Sequence, residues 1–294
     1  MIVIVSVLVI IVIFVFFATW IGKDIGKSHQ LESVTIPRII IQTWKTTNLP
    51  SPLQQLQDKV RMHNPNYEYL FFDDVGVDRF VQSHYVEYWD TFQRLTPRIK
   101  QIDFFRYLAV LHHGGFYLDM DMEVTASLDS IRNHGVGAAA VFPMEYSRNT
   151  DDVLQRKGIA YLMGNYAFAA VQGSAALRAI VDGIYHGVIP PHDIPRNSLF
   201  KEVLYTTGPV LVTYVLHGRK DVRVMQSTKY PESGFGEVAR HLLMHSWVEK
   251  KAHSSPAARY LSKEKKEVNQ YGGGRNQSST HGAVKANQYA SLIK

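Results

Sequence analysis

The chain opens with an unbroken apolar stretch. Residues 1–22 include no charged side chain and consist mostly of Ile, Val, Leu and Phe. About 20 such residues cross the hydrocarbon layer of a bilayer, and Trp20 stands where an interfacial aromatic residue is expected. A cleaved signal peptide is the alternative, but the basic start and the small-residue cleavage site are missing. The pattern predicts a single-pass transmembrane anchor at residues 1–22, followed by a polar spacer at 23–34.

Beyond the spacer, short apolar runs alternate with longer segments. The apolar runs predict strands, at residues 36–44, 67–72, 116–118, 138–142 and 222–225. The longer segments predict helices, at residues 50–61, 96–113, 175–185 and 200–216, the last interrupted at Gly208-Pro209. Thr96-Pro97 resembles a helix start with Thr96 as cap, and Gly114-Gly115 is a helix stop. This alternation predicts one α/β domain over residues 35–250, with a mixed, largely parallel sheet flanked by helices.

The amino-acid composition limits the metal ligands and the binding partners that the chain can have. The chain has no cysteine, so any metal site must use oxygen or imidazole ligands. The net charge is +6, yet nine Lys or Arg against two Glu fall between residues 250 and 294. The basic excess therefore belongs to a polar tail at 251–294, which we expect to be disordered. Only this tail favours a nucleic-acid partner, and it suits anionic lipid equally well, so we expect no nucleic-acid binding.

Two carboxylates follow the strand at residues 116–118. Asp119 and Asp121 are spaced i, i+2 in a turn, so both can reach one hard divalent cation that keeps further positions for water and phosphate. The carboxyl ends of strands are where open α/β sheets bind ligands. Glu123 is a candidate further ligand or supporting residue. The alternative for this common pattern is a surface turn.

A second polar pair lies on the preceding helix. Asp103 and Arg106 are three residues apart and share a helix face. A surface ion pair is the plain alternative. In a functional site, Asp103 would accept hydrogen bonds from sugar hydroxyls and Arg106 would steady an anionic group through its fork of donors. Gly114-Gly115 allows the sharp turn that brings this pair beside Asp119 and Asp121.

Residues 103–121, running from Asp103-Phe-Phe-Arg106 through Gly-Gly to Asp-Met-Asp, resemble the signature of the DXD-containing glycosyltransferases. This group includes yeast-type initiating α-1,6-mannosyltransferases, inositol-phosphoceramide mannosyltransferases and α-1,4-galactosyltransferases. Residues 36–45 and 65–69 resemble the first two strands of the family, and Gly208-Pro209 and Ser246-Trp247 resemble its later motifs. Many relatives have His where this chain has Ile41, a difference that would bear on donor or acceptor.

The resemblance implies a GT-A fold and a retaining transfer of a hexose from a nucleotide sugar to a glycan or glycolipid. It implies Mn²⁺ or Mg²⁺ bound by Asp121 and Asp119, with a late histidine as third ligand. His241 and His245 are the two candidates. The resemblance favours mannose from GDP-mannose, with UDP-galactose or UDP-glucose as the alternative donor. Asp103, Arg106, Asp119 and Asp121 would form the catalytic group.

The resemblance also implies a set of donor-binding residues: Trp44, Asp103, Arg106, Asp119, Asn165, Gly208, Ser246 and Trp247. Trp44 would stack on the nucleobase, the alternative being a core aromatic at a strand end. Asn165 would lie near the donor sugar, the alternative being an ordinary turn residue.

The anchor and the resemblance together predict a membrane of the ER or Golgi type. Lys23 and Lys27 follow the apolar stretch, so a cytoplasmic-facing domain remains an alternative. An aspartyl-phosphate phosphatase is disfavoured because Glu123 stands where that class has Thr or Val. A membrane-anchored, non-catalytic glycan-binding pseudoenzyme is the other alternative, and the intact Asp and Arg residues argue against it.

Overall fold

The computed structural model describes residues 35–145, 154, 158–189 and 198–243. The predicted anchor at 1–22, the spacer at 23–34 and the tail at 251–294 lie outside the described residues, as do His245, Ser246 and Trp247. Within the described ranges, no helix is both long enough and apolar enough to cross a membrane.

The chain alternates strands and helices. The strands are β1 (Ile39–Thr43), β2 (Glu68–Phe72), β3 (Gly115–Leu118), β4 (Met122–Val124), β5 (Ala140–Glu145), β6 (Leu162–Met163), β7 (Ala167–Ala170), β8 (Val222–Met225), β9 (Gly234–Phe235) and β10 (Ala239–His241). The α-helices are α1 (Ser51–His63), α2 (Asp74–His84), α3 (Trp89–Arg94), α4 (Arg98–His113), α5 (Asp129–His134), α6 (Ala175–Tyr185), α7 (Leu199–Thr206) and α8 (Pro209–Leu216). A 3₁₀ turn, Val86–Tyr88, links α2 and α3.

The larger sheet has the strand order β2-β1-β3-β7-β5-β6, and β8 also pairs with β5. β1 runs parallel to β2 and β3, and β8 runs parallel to β5. β7 is antiparallel to both β3 and β5, and β6 is antiparallel to β5. The predicted mixed α/β architecture is confirmed. Among the described residues, three pairings of this sheet are parallel and three are antiparallel.

A smaller antiparallel sheet has the order β4-β10-β9. β4 begins one residue after Asp121, and His241 of β10 lies opposite Met122 of β4. The register therefore sets the end of β10 beside the turn that follows β3.

The helix α4 is the structural link between the sheet and the polar pair. It begins at Arg98 after Pro97, and its N-terminus has no side-chain cap, so the predicted cap by Thr96 is wrong. It ends at His113 as predicted, because Gly114 adopts φ +69°. A Cβ on Gly115 would lie 2.4 Å from the Ile39 carbonyl oxygen, so only glycine lets β3 start this close to β1.

Ten of the sixteen residues of α4 are buried. Such a helix lies in the core instead of resting one face on it. Asp103 and Arg106 are each only 3% exposed. Since burying a charge without partners is strongly unfavourable, these two residues require a built polar environment.

Candidate functional site

The turn after β3 is fixed by backbone and side-chain contacts. The Asp119 amide donates to the Tyr166 carbonyl at 2.8 Å, and the Met122 amide donates to the Asp119 carbonyl at 3.1 Å. Met120, between the two aspartates, is 4% exposed and packs in an apolar cluster with Leu53 and Leu56 of α1. An apolar side chain between two polar ones thus anchors the turn.

Asp119, Asp121 and His241 converge at this turn. Each offers one ligand atom, and these atoms all lie within 4.8 Å of one another. His241 Nε2 is 3.0 Å from Asp121 Oδ1. Two carboxylate oxygens and one imidazole nitrogen form a donor set suited to Mn²⁺ or Mg²⁺. Of the two histidines that the sequence left open, His241 lies at the candidate metal centre, whereas His245 is outside the described residues.

The electrostatics of these three residues favour a cation. Burial raises the pKa of Asp119, with Arg106 opposing the rise and the negative charge of Asp121 adding to it. Burial alone would lower the pKa of His241, but the adjacent carboxylates, Asp121 foremost, raise it above its ordinary value. Crowded carboxylates of this kind are relieved by a shared positive charge.

Asp103 sits at the centre of a buried hydrogen-bond network. Its Oδ1 accepts from Asn165 Nδ2 at 3.1 Å and lies 3.2 Å from Arg106 Nη2. Its Oδ2 accepts from the Thr207 hydroxyl at 2.8 Å. Tyr107 closes the network, because its hydroxyl accepts from Asn165 at 3.0 Å and donates to the Thr207 carbonyl at 2.8 Å. Both oxygens of Asp103 thus already have protein donors.

Arg106 connects this network to the turn. Its Nη2 lies 3.3 Å from Asp119 Oδ1, and its Nη1 donates to the Asn165 carbonyl at 2.6 Å. The guanidinium also lies 4.6 Å from the ring centroid of Tyr117, whose hydroxyl donates to Asp119 Oδ1 at 2.8 Å. Arg106 Nε is buried and has no hydrogen-bond partner among the described residues. The arrangement fixes one oxygen of Asp119 from two directions.

A hydrogen-bond relay to the Asp119 backbone was not predicted from the sequence. Gln57 Nε2 of α1 donates to the Tyr69 hydroxyl at 2.9 Å, and that hydroxyl donates to Gln42 Oε1 at 2.7 Å. Gln42 Nε2 then donates to the Asp119 carbonyl at 3.2 Å. Gln42 is fully buried within β1, and a glutamine in an apolar strand is the one sequence signal that indicates such a partner.

Trp44, at the end of β1, is partly buried against the cluster formed by Leu53, Leu56 and Met120. It therefore lies close to the turn that holds Asp119 and Asp121. Gly208 is the N-cap of α8, and a Cβ there would lie 2.8 Å from the Leu204 Cα. Close helix packing is thus one evident requirement for glycine at this position.

Glu123 does not join the candidate ligands. Its carboxylate pairs with Lys59 at 2.9 Å and with Arg240 at 2.6 Å. These pairs join α1, β4 and β10, so this residue ties together the elements around the turn.

Part of the chain matches a known protein family. Residues 50–136 match the family described as the glycosyltransferase sugar-binding region containing the DXD motif. Inositol phosphoceramide mannosyltransferase 3 of Schizosaccharomyces pombe is 29% identical over 191 residues, which is 64% of this chain and 48% of that protein. The initiation-specific alpha-1,6-mannosyltransferase of Saccharomyces cerevisiae is 30% identical over 103 residues, which is 32% of this chain and 22% of that protein.

The chain spans about half the length, or less, of the curated relatives that it matches. Among solved structures, PaToxG glycosyltransferase aligns over 89% of this chain and 88% of its own, with 15% identity and a TM-score of 0.44. The sequence matches confirm the resemblance to glycosyltransferases that the Asp103–Asp121 block predicted. Residues 50–136 of the chain thus match the sugar-binding region of the DXD-containing glycosyltransferases, and the curated proteins that resemble the chain include mannosyltransferases.

Proposed function

We propose that the protein is a retaining, metal-dependent hexosyltransferase with a GT-A fold. In this proposal it moves mannose from GDP-mannose to a hydroxyl of a glycan or glycolipid. The observation that supports it most strongly is the convergence of Asp119, Asp121 and His241 beside the buried Arg106. The parallel β1 and β3, with the turn at the carboxyl end of β3, agree with a nucleotide-sugar site at this edge of the sheet.

Asp119, Asp121 and His241 would hold Mn²⁺ or Mg²⁺. When bound, such an ion neutralises the charge of a diphosphate leaving group. Arg106, whose Nη2 lies 3.3 Å from Asp119 Oδ1, would add a fixed positive charge where negative charge develops. Because this guanidinium is held by Asp103, Asp119 and the Asn165 carbonyl, little reorganisation would accompany the reaction.

Asp103 then acts through Arg106. Its oxygens already accept from Asn165 and Thr207, so we assign it the role of orienting Arg106 instead of binding sugar hydroxyls by itself. Asn165 takes its place near the donor sugar through the same network. No enzyme carboxylate is assigned as a nucleophile in this scheme, and the acceptor proton passes to the departing phosphate of the donor.

Trp44 is our candidate for stacking on the nucleobase. It follows β1 directly, is partly exposed and packs against the cluster that contains Met120, so it borders the turn. Gly208, Ser246 and Trp247 complete the donor-binding set that we propose. The last two lie outside the described residues.

The choice of mannose rests on the similarity to fungal mannosyltransferases. The names of those proteins specify an inositol phosphoceramide acceptor, so a membrane glycolipid is the acceptor class that we propose. A membrane of the ER or Golgi type, reached through the apolar stretch at residues 1–22, is the setting that agrees with such an acceptor.

A donor panel tests this function. The 294-residue chain is given GDP-mannose, UDP-galactose or UDP-glucose with Mn²⁺, and nucleotide release is measured for wild type and for Arg106→Lys. We expect release from GDP-mannose above both UDP sugars, and a slower rate with the lysine, which lacks the planar fork of donors. A preference for a UDP sugar would show that the proposed donor is wrong, but the proposed glycosyltransferase activity would stand. Absence of release from all three donors, together with absence of Mn²⁺-dependent donor binding, would favour the non-catalytic, glycan-binding alternative.

A further inference from the structure

The ring of Tyr166 lies flat against the histidine of the candidate metal centre. The centroids of the Tyr166 and His241 rings are 4.5 Å apart, and the two planes are inclined by 18°. Tyr166 is buried, and the side chain of His241 is only 14% exposed. Rings that stack at this distance and angle pack face to face, so the plane of the imidazole follows that of the phenol. In that plane, His241 Nε2 lies 3.0 Å from Asp121 Oδ1.

The backbone of the same tyrosine supports another member of the donor set. The Asp119 amide donates to the Tyr166 carbonyl at 2.8 Å, beside the pairing of Leu118 in β3 with Ala167 in β7. Tyr166 therefore contacts two proposed ligands that lie far apart in the chain. Its carbonyl holds the turn that carries Asp119, and its ring packs on His241. A single residue thus helps to set the position of these two ligands relative to each other.

Gly164 provides the space that the tyrosine ring occupies. A Cβ at this position would lie 2.5 Å from Tyr166 Cε1 and 3.0 Å from Tyr166 Cζ, which is too close for carbon atoms that are not bonded. Gly164 does not have a positive φ, so a left-handed backbone is not the reason for glycine here. The evident reason is the close approach of the Tyr166 ring.

The contact between Tyr166 and the histidine is made by the rings and not by their polar atoms. The Tyr166 hydroxyl is buried and has no hydrogen-bond partner in the described part of the chain, and the same is true of His241 Nδ1. Tyr166 also belongs to the core cluster that contains Phe116, Leu118 and Met122. Core packing therefore holds the phenol ring in place, and the phenol ring supports the imidazole.

We propose that Tyr166 is a positioning residue of the metal centre, whose ring fixes the plane of the His241 imidazole so that Nε2 is presented to the ion. This inference rests on the proposed metal-dependent function. Tyr166 supplies no ligand atom, and it acts by packing on His241 and by holding the Asp119 amide. Neither the DXD motif nor the Asp103–Arg106 pair indicates this residue.

The test measures binding of Mn²⁺ itself, by the electron paramagnetic resonance signal of free Mn²⁺ during titration of the 294-residue chain. Tyr166→Leu removes the ring and keeps an apolar side chain. We expect the affinity for Mn²⁺ to fall by about 3- to 10-fold, the effect of losing one aromatic stack. Tyr166→Phe keeps the stack and should bind Mn²⁺ as wild type does. Tyr85→Leu, at a buried tyrosine of the other large core cluster, is the matched control and should also bind as wild type does.

Gly164→Ala tests the same contact without changing either ring. The added methyl group must displace the tyrosine ring, so this variant should weaken Mn²⁺ binding to a similar extent. The double variant Gly164→Ala/Tyr166→Leu should bind little worse than either single variant, because both substitutions act through one contact. Thermal unfolding of each variant in EDTA checks that folded proteins are compared. If Tyr166→Leu is unfolded, Gly164→Ala decides the question in its place.

The outcomes separate this inference from the proposed function. If Asp121→Asn loses Mn²⁺ while Tyr166→Leu and Gly164→Ala bind as tightly as wild type, the role of Tyr166 is wrong and the metal centre stands. If Tyr166→Phe weakens binding as much as Tyr166→Leu, the hydroxyl acts instead of the ring and the inference is refuted. An equal loss in Tyr85→Leu would refute it too, because core packing in general would then explain the effect. If wild type binds no better than Asp121→Asn, the metal centre fails and this inference fails with it.

Discussion

The guanidinium of Arg106 lies 3.3 Å from the carboxylate of Asp119, although thirteen positions and a helix end separate them in the chain. This contact joins the buried network around Asp103 to the turn that we assign to the metal. The buried residues around Asp103 and the turn are therefore joined by direct contacts. Substitutions in this network are expected to affect both the free energy of unfolding and the activity.

Removing Arg106 tests how strongly the buried network depends on this contact. Arg106→Ala leaves Asp103 as a buried carboxylate without its cation, and breaking a buried pair in this way costs about 3–5 kcal/mol of the free energy of unfolding. Arg219→Ala, which removes a partly exposed partner of Asp221, should cost less than about 1 kcal/mol. Urea denaturation measures both. Similar losses for the two variants would contradict the assigned burial of the network.

Two adjacent threonines allow a matched comparison. The Thr207 hydroxyl is buried and donates to Asp103 Oδ2, whereas the Thr206 hydroxyl lies in an exposed setting and donates to a helix carbonyl. Thr207→Val keeps the shape and removes the donor to a buried carboxylate, so we expect a loss of about 1–3 kcal/mol in unfolding free energy. Thr206→Val should change it by about 0.5 kcal/mol or less. Equal effects would show that the hydroxyl of Thr207 does not support Asp103.

The pH dependence of stability reports on Asp103. Burial raises the pKa of Asp103 to about 6, with Arg106 and Thr207 opposing the rise. The Asp103 carboxyl group therefore binds its proton more tightly in the folded protein than in the unfolded chain, where its pKa has the ordinary value of 3.8. Between about pH 4 and 6 the contribution of this group to stability falls as pH rises, by roughly 3 kcal/mol over a shift of about two pKa units.

Asp103→Asn should remove the pH-dependent part of the unfolding free energy that comes from this carboxyl group. Unfolding free energies of wild type and variant, measured from pH 4 to 7, should differ by an amount that changes across this window and levels off above it. A difference that stays constant with pH would mean that Asp103 has an ordinary pKa in the folded protein.

The hydrogen-bond relay through Tyr69 predicts that a substitution away from the proposed metal ligands slows the reaction. Tyr69→Phe removes the hydroxyl that joins Gln57 to Gln42, and Gln42 holds the Asp119 carbonyl. We expect nucleotide release to slow by about 10-fold, as for other residues that orient a ligand. Tyr185→Phe, at a tyrosine that is 44% exposed, is the control and should leave the rate unchanged. Unaltered release by Tyr69→Phe would exclude the relay from site positioning.

Local sequence signals predicted much of this fold. The isoleucine run of β1, the glycines after α4 and the apolar run before Asp119 each determine structure within a few residues, so strands and helix ends near them were predicted correctly. α2 was not predicted. Its start depends on Asp73, which caps the helix by accepting from the Gly76 amide at 2.7 Å. β7, with the sequence Ala-Phe-Ala-Ala, has no alternation that would distinguish it.

The candidate site was predictable in part for a similar reason. The spacing of Asp103, Arg106, Asp119 and Asp121 is local, and the resemblance supplied His241 as one of two candidates. Thr207 lies 104 positions from Asp103, and Tyr69 lies 27 from Gln42. Contacts of this kind depend on how the sheet and α4 pack together, which no local pattern encodes.

The central claim is that Asp119, Asp121 and His241 hold a divalent cation that donor cleavage requires. The most direct test is nucleotide release from GDP-mannose as a function of Mn²⁺, for wild type, Asp121→Asn and Asp90→Asn, the last at an exposed aspartate of α3. We predict that release by wild type and Asp90→Asn rises with Mn²⁺ and saturates, while Asp121→Asn is slower by roughly 100-fold at saturating Mn²⁺. Release by Asp121→Asn at the wild-type rate, or wild-type release that does not depend on a divalent cation, would contradict the metal assignment.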